Sequence, residues 1–169
     1  MAWLVAGLLV GLGVAYYWPQ ERAYANTVDR DSQFVMITVP VGTNAGAAGF
    51  NDPMDGVFIL DFLSGQLRGA VLNRQTGRFA SLYSRDLAKD FQVDPKDEPH
   101  YAIVSGVAQS PNQQGVQFAS GIIYVAELSS GKLAAYAFPW IEVPRPSPKK
   151  YDMIVKDVFQ WRQPMQKDK

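Results

Sequence analysis

The sequence predicts an all-β protein in which a hairpin unit occurs twice. One short pattern, an acidic or amide residue, two further residues, Ser or Thr and then Gly, occurs three times and begins at Asp61, Asn73 and Glu127. The first and third copies lie in a longer internal match, in which residues 57–61 align with residues 123–127. Tight turns that recur between β-branched and aromatic runs are typical of antiparallel hairpins. The duplicate predicts one unit over residues 33–92 and a second over residues 100–162.

Composition sets limits on the class of protein. The 169 residues suffice for one domain with its own core, and 16 basic side chains balance 16 acidic ones. Without net charge no global field attracts nucleic acid, so no nucleic-acid partner is predicted. The absence of Cys excludes disulfides, thiolate metal sites and a cysteine nucleophile.

The N-terminal segment predicts export. Residues 3–18 are almost wholly apolar and the first charge is Glu21, which is typical of a hydrophobic helix in a signal peptide or a membrane anchor. The small residues Ala23 and Ala25 predict cleavage after Ala25. Residues 1–25 are therefore interpreted as a cleaved signal, with an uncleaved single span through residues 1–18 as the alternative. Either interpretation places the domain in the periplasm or cell envelope.

The first unit reads as four strands and a short helix. After a strand at residues 34–41 and a Gly-rich loop at 43–55, strands are predicted at 57–63, 66–72 and 78–83. Ser84 is the predicted cap of a helix ending at Phe91, because Leu87 and Phe91 share a helical face.

The second unit repeats this plan incompletely. Strands are predicted at 101–107, 122–128 and 132–138, with a polar loop at 109–120. Pro139 stands where Asn73 stands in the first unit, so no further pass is expected there. Alternation over residues 151–161 predicts one last strand, and residues 163–169 are a polar tail. About seven strands form a duplicated antiparallel meander over residues 26–162, as a sandwich, an open barrel or a propeller-blade-like sheet.

The repeated pattern has a structural explanation. Gly65, Gly77 and Gly131 supply the positive φ that a tight turn requires. Asp61, Asn73 and Glu127 can accept amide hydrogens within their turns.

The segments 57–67 and 123–133 resemble blade hairpins of YVTN-type and quinoprotein-like β-propellers, which read strand, Asp-x-x-Thr-Gly, strand. The resemblance implies blade-like sheets but neither activity nor cofactor, since no cofactor residues of those families are recognisable. A complete propeller needs at least about four blades, so two units could form one only through oligomerisation. The chain also resembles, as a general type, small exported bacterial proteins of unknown function.

Catalytic constellations are not evident. Asp61 and Glu127 could form a glycosidase-like carboxylate pair. Asn73 fills the same slot, however, and an amide cannot replace a catalytic carboxylate. His100 is the sole histidine and is interpreted as a surface or strand-edge residue. No catalytic residue, cofactor or metal site is therefore predicted.

Candidate interaction residues lie at strand ends and in the two polar loops. Trp140 and Trp161, beside Pro or charge, are predicted to be half-exposed interface aromatics. The further candidates are Tyr136, Asn51, Asp52, Asn112 and Gln113.

These observations predict a non-enzymatic envelope protein that acts as a protein-interaction or self-assembly module. Its expected partner is another envelope protein or a second copy of the chain. The first alternative is a small-ligand or glycan-binding β domain that uses the loops and aromatic residues. A hydrolase that uses Asp61 and Glu127 ranks third.

Overall fold

The computed structural model describes residues 28–42, 54–93, 99–108, 110–111, 116–140 and 148–163. The predicted N-terminal segment, residues 1–25, lies outside these ranges, as do residues 43–53 of the first polar loop and residues 109 and 112–115 of the second. Within the described residues no helix has the length and apolar character needed to cross a membrane.

Ten strands and one short helix form the described structure, which confirms the all-β prediction. The elements are β1 (Val28–Arg30), β2 (Phe34–Pro40), β3 (Asp55–Asp61), β4 (Gln66–Leu72), β5 (Phe79–Asp86), α1 (Leu87–Phe91), β6 (Tyr101–Val107), β7 (Gly121–Glu127), β8 (Lys132–Ala137), β9 (Lys149–Asp152) and β10 (Ile154–Gln160). Strands β4 and β6 have the predicted bounds, and β1 was not predicted.

The strands form two sheets, named here sheet I and sheet II. Sheet I has the order β1-β2-β3-β4-β5-β9, and sheet II has the order β10-β8-β7-β6. All neighbours are antiparallel except β5 and β9, which run parallel. The two sheets pack face to face as a sandwich, whose hydrophobic core lies between them.

Alternation along the strands creates this core. In β2 the side chains of Val35, Ile37 and Val39 are buried, while the neighbouring Phe34 and Met36 are exposed. From β3, the Phe58 ring lies 4.8 Å from the Phe138 ring between the sheets. Each such buried side chain contributes about 2 kcal/mol of transfer free energy. Gly69 faces the Phe58 ring so closely that a Cβ there would overlap it, so only glycine fits this position.

The predicted helix cap was wrong. Helix α1 begins at Leu87, and its N-cap is Asp86, whose carboxylate accepts the Lys89 amide at 3.2 Å. Ser84 belongs to β5 instead. Strand pairing with β4 extends through Asp86 and thereby moves the helix start by two residues.

The prediction of one strand over residues 151–161 was also wrong. Strands β9 and β10 belong to different sheets, and the chain passes from one to the other at Met153. The Met153 side chain is fully buried, and its amide donates to the Ser84 carbonyl at 3.2 Å. Strand β10 then pairs with β8, so the second unit does contain the strand that was expected to be missing.

Candidate functional site

The duplication extends to the register of four strands. In sheet I the strands β2, β3, β4 and β5 match β6, β7, β8 and β10 of sheet II. One row of cross-strand neighbours shows the match: Phe34, Asp61, Gln66 and Asp86 in sheet I, and Tyr101, Glu127, Lys132 and Gln160 in sheet II. Each sheet therefore contains four strands with one common register, and β1 and β9 are added at the edges of sheet I.

The two units bury opposite faces of this common sheet. Ile37 is buried against the core, but its equivalent Val104 is 56% exposed. Conversely, Val125 is buried and its equivalent Ile59 is 41% exposed. The outer face of sheet II thus corresponds to the inner face of sheet I. The units are therefore stacked head to tail, which means that unlike faces of the two sheets are in contact. They are not related by a two-fold axis, which would bring like faces together.

The outer face of sheet II carries two rows of mainly apolar side chains. The first row contains Ala102, Ala126, Leu133 and Phe159, and the second contains Val104, Tyr124, Ala135 and Asp157. Asp157 is the one charged residue of these eight. Phe159 is 61% exposed, so the row ends in an open aromatic ring. A contiguous apolar surface of this kind is typical of a protein interface.

The outer face of sheet I also exposes apolar side chains. Phe34, Met36 and Ile59 are each more than a third exposed on neighbouring strands β2 and β3. Arg68 continues the row of Met36 and Ile59 on β4 and is exposed. This face combines an apolar centre with Arg68 and, in the row of Phe34, with Asp61 and Asp86.

Trp161 is held at the end of β10 by the third repeated turn. Its amide donates to the Gly131 carbonyl at 3.0 Å, and the Arg162 guanidinium lies 4.7 Å from the centre of its ring. Leu87 makes the equivalent bond to Gly65 at 2.9 Å in sheet I. In sheet I this position begins the helix and is buried, whereas Trp161 is 42% exposed. Its predicted exposure is confirmed.

All three repeated turns have the same hydrogen bonds. Asp61 Oδ1 accepts the amides of Leu63 and Ser64 at 2.9 and 3.2 Å. Asn73 Oδ1 accepts those of Gln75 and Thr76 at 3.0 and 2.9 Å. Glu127 accepts those of Ser129 and Ser130 at 2.9 and 2.6 Å. The glycine of each turn has a positive φ of 63–67°. Asp61 and Glu127 therefore bind within separate turns of different sheets, which gives both a structural role.

The turn bonds also set the ionisation of the two acids. The hydrogen bond from the Ser64 side chain, aided by the Ser64 and Leu63 amides, holds the pKa of Asp61 below its usual value. Burial alone would raise the pKa of Glu127, but hydrogen bonds from Ser130 and Ser129 outweigh burial and lower it. Both groups are charged at neutral pH, as turn acceptors require.

A polar cavity of about 440 Å³ lies beside α1 and contains a network of charged side chains. Arg85 binds Asp90 through two bonds of 2.7 and 2.6 Å and donates to the Met153 carbonyl at 3.2 Å. The Tyr136 hydroxyl donates to Asp90 at 3.0 Å. Burial raises the pKa of Tyr136, and the Asp90 charge raises it further, so this donor stays protonated. The network joins α1, β5 and β8 to the residue at which the chain changes sheets.

A smaller cavity, of about 220 Å³, adjoins the first repeated turn. His100 lies exposed at its rim, and the Arg30 guanidinium lies 5.1 Å from the centre of the Phe62 ring. Across the described parts of the chain, no three His, Asp or Glu side chains are grouped as metal ligands would be.

The structure corrects two of the predicted interaction residues. Trp140 is only 5% exposed, because its amide binds the Gln117 carbonyl at 2.9 Å and draws it against the core. Tyr136 is fully buried between the sheets. The predicted candidates Asn51, Asp52, Asn112 and Gln113 lie outside the described residues.

Sequence reasoning missed the exposed rows on sheet II. The alignment of the two units carried a signal for the buried face. The larger side chains of the second unit, Tyr101 and Ile103, align with Phe34 and Met36, whereas Ala102 and Val104 align with Val35 and Ile37. In the first unit both faces of the strand carry large apolar side chains, so the sequence alone did not show which face is buried.

Comparisons of the chain with protein-family models, with curated proteins and with solved structures give no match.

Proposed function

We propose that the protein is a non-enzymatic exported module that binds another protein, or a second copy of itself, through the outer face of sheet II. The observation that carries this proposal is the pair of apolar rows across all four strands of that sheet, with one charge among eight residues. Removing such a surface from water is favourable by about 25 cal/mol for each Å² of apolar area.

The size of the surface indicates a reversible contact. Four strands spaced about 4.8 Å apart, each of seven residues or fewer, give a face roughly 20 Å square. A standard protein interface buries about 800 Å² on each partner, so this face has about half the standard area. We therefore expect exchange between free and bound states.

The environment of the contact follows from the predicted export of the chain. Residues 3–18 would direct the domain to the periplasm or cell envelope, where its partner would be found. Membrane fractionation with N-terminal sequencing of the native protein distinguishes a cleaved signal from an anchor. A full-length protein in the cytoplasmic fraction would contradict the predicted export.

Site-specific photo-crosslinking tests the proposed surface. We would place a photoreactive phenylalanine derivative at Val104 or Phe159, and at Leu63 as a control, since Leu63 is 75% exposed but lies in a turn. We expect discrete covalent adducts from positions 104 and 159 and none from position 63. Adducts of equal yield at all three positions, or none at any, would contradict the proposed surface.

A further inference from the structure

We infer that the partner of sheet II is a second copy of the chain, which binds through the outer face of its sheet I. This inference rests on the proposed function and names the occupant of that surface. It predicts a head-to-tail contact between copies in place of a symmetric dimer.

The two sheets within one chain already pack against each other. The inner face of sheet I packs against the inner face of sheet II. In the common register, the outer face of sheet II is equivalent to the inner face of sheet I. The outer face of sheet I is likewise equivalent to the inner face of sheet II. A contact between copies would therefore join the same two kinds of face that the chain joins internally.

Exposed apolar side chains lie at the centre of each outer face. Across the core, β2 lies against β6 and β7. The equivalent arrangement between copies places β6 of one copy against β2 and β3 of the next. Val104 would then occupy the place of Ile37, and Ile59 the place of Val125. Both residues are exposed and apolar in the single chain, so removing both side chains from water would be favourable.

Charged side chains lie on both faces. Asp157 lies on the outer face of sheet II, and Arg68 lies on the outer face of sheet I together with Asp61 and Asp86. Arg68 therefore offers Asp157 one partner of opposite sign. The chain has no net charge, so copies do not repel one another as they approach.

The geometry has a consequence for assembly. A contact between two different faces leaves one face of each kind free at the ends of the pair. Further copies can add, so the product is a closed ring if the rotation between units closes and an open chain if it does not. A two-fold contact would stop at two copies.

Mixing two complementary variants tests this inference. Val104→Asp disables the outer face of sheet II, and Ile59→Asp disables that of sheet I. Both sites are exposed, so the fold should persist, and circular dichroism checks this. Phe159→Asp and Met36→Asp serve as replacements if either first variant unfolds. The full chain is used in mild detergent, with the N-terminal segment unchanged in every sample.

Light scattering at about 100 μM, a concentration suited to a weak contact, gives the outcome. We expect the wild type to exceed twice the 18.7 kDa of one chain, each variant alone to be monomeric, and their mixture to form a one-to-one dimer. A monomeric wild type, a monomeric mixture or a dimer of either variant alone would overturn the inference. Adducts at positions 104 and 159 to a different protein would overturn it as well, but would support the proposed function.

Discussion

Glu127 and Asp61 occupy equivalent turns but have different surroundings. Asp61 lies at the partly exposed outer face of sheet I, whereas Glu127 has no exposed surface because its face packs against sheet I. Both keep the same two bonds to turn amides. The turn thus determines the residue type at this position. Burial changes only the free energy of unfolding that is lost when the side chain is removed.

Replacing Glu127 should separate these effects. We expect Glu127→Ala to lower the free energy of unfolding by about 3 kcal/mol, because two turn amides lose their acceptor in a buried site. Glu127→Gln should cost about 1.5 kcal/mol, because Glu127 accepts the two amides with separate oxygens and glutamine keeps only one of these acceptors. Urea titrations of both variants give the comparison, and equal costs would contradict the structural role.

The pH dependence of unfolding has a definite sign. The pKa of Glu127 is lower in the folded protein than in the unfolded chain, so its contribution is complete above the ordinary glutamate pKa of about 4.3. That contribution is lost as the pH falls through the folded pKa. Wild-type stability should therefore fall more steeply below pH of about 4 than that of Glu127→Gln.

At this scale the sequence predicted turns better than exposure. The acceptors and glycines of three turns follow from local chemistry, and each is found as expected. The burial of Trp140 depends on a bridge between Phe118 and Pro139, which joins segments distant in the chain. No local pattern encodes that pairing.

At the scale of elements, β10 is the strand that completes the second unit. It arrives after β9 has paired with sheet I, and the change of sheet occurs at the buried Met153. Alternation predicted a strand in this region but could not show the change of sheet, because both strands share the same periodicity. The parallel pairing of β9 with β5 is equally a product of the tertiary fold.

Gly131 fixes the end of β10, and its replacement tests this. Gly131 and Gly77 have φ of +67° and +63°, so both Gly→Ala changes carry the backbone cost of about 1–2 kcal/mol. A Cβ at position 131 would also overlap the Arg162 carbonyl, whereas a Cβ at position 77 meets nothing within 4 Å among the described residues.

We therefore expect Gly131→Ala to destabilise the protein by at least about 1 kcal/mol more than Gly77→Ala. It should also increase amide hydrogen exchange along β10, where Gly77→Ala should not. Equal destabilisation with unchanged exchange in β10 would show that the turn does not hold this strand.

At the scale of the whole molecule, the duplication matters most through the order of its faces. Two equivalent sheets could pack with like faces together or with unlike faces together. Val104 is exposed although its equivalent Ile37 is buried, and Ile59 is exposed although its equivalent Val125 is buried. The core therefore lies between unlike faces of the two sheets. The sequence revealed the repeat, but strand alternation alone did not reveal which face of each sheet becomes the core.

Head-to-tail packing leaves one face of each kind open on every chain. This is the physical basis for the proposed self-association, and it accounts for exposed apolar side chains on both outer faces. In the proposed assembly, a further copy would bind through these two outer faces alone.

Cysteine crosslinking between copies tests this order of faces most directly, because the native chain contains no Cys. A short bis-maleimide crosslinker joins thiols on two surfaces that pack together, so the two chosen residues need only lie on the contacting faces. In the double variant Val104→Cys/Ile59→Cys, we predict a ladder of covalent oligomers with this crosslinker, while each single variant stays monomeric. Covalent dimers from Val104→Cys alone, or no ladder from the double variant, would contradict the head-to-tail account.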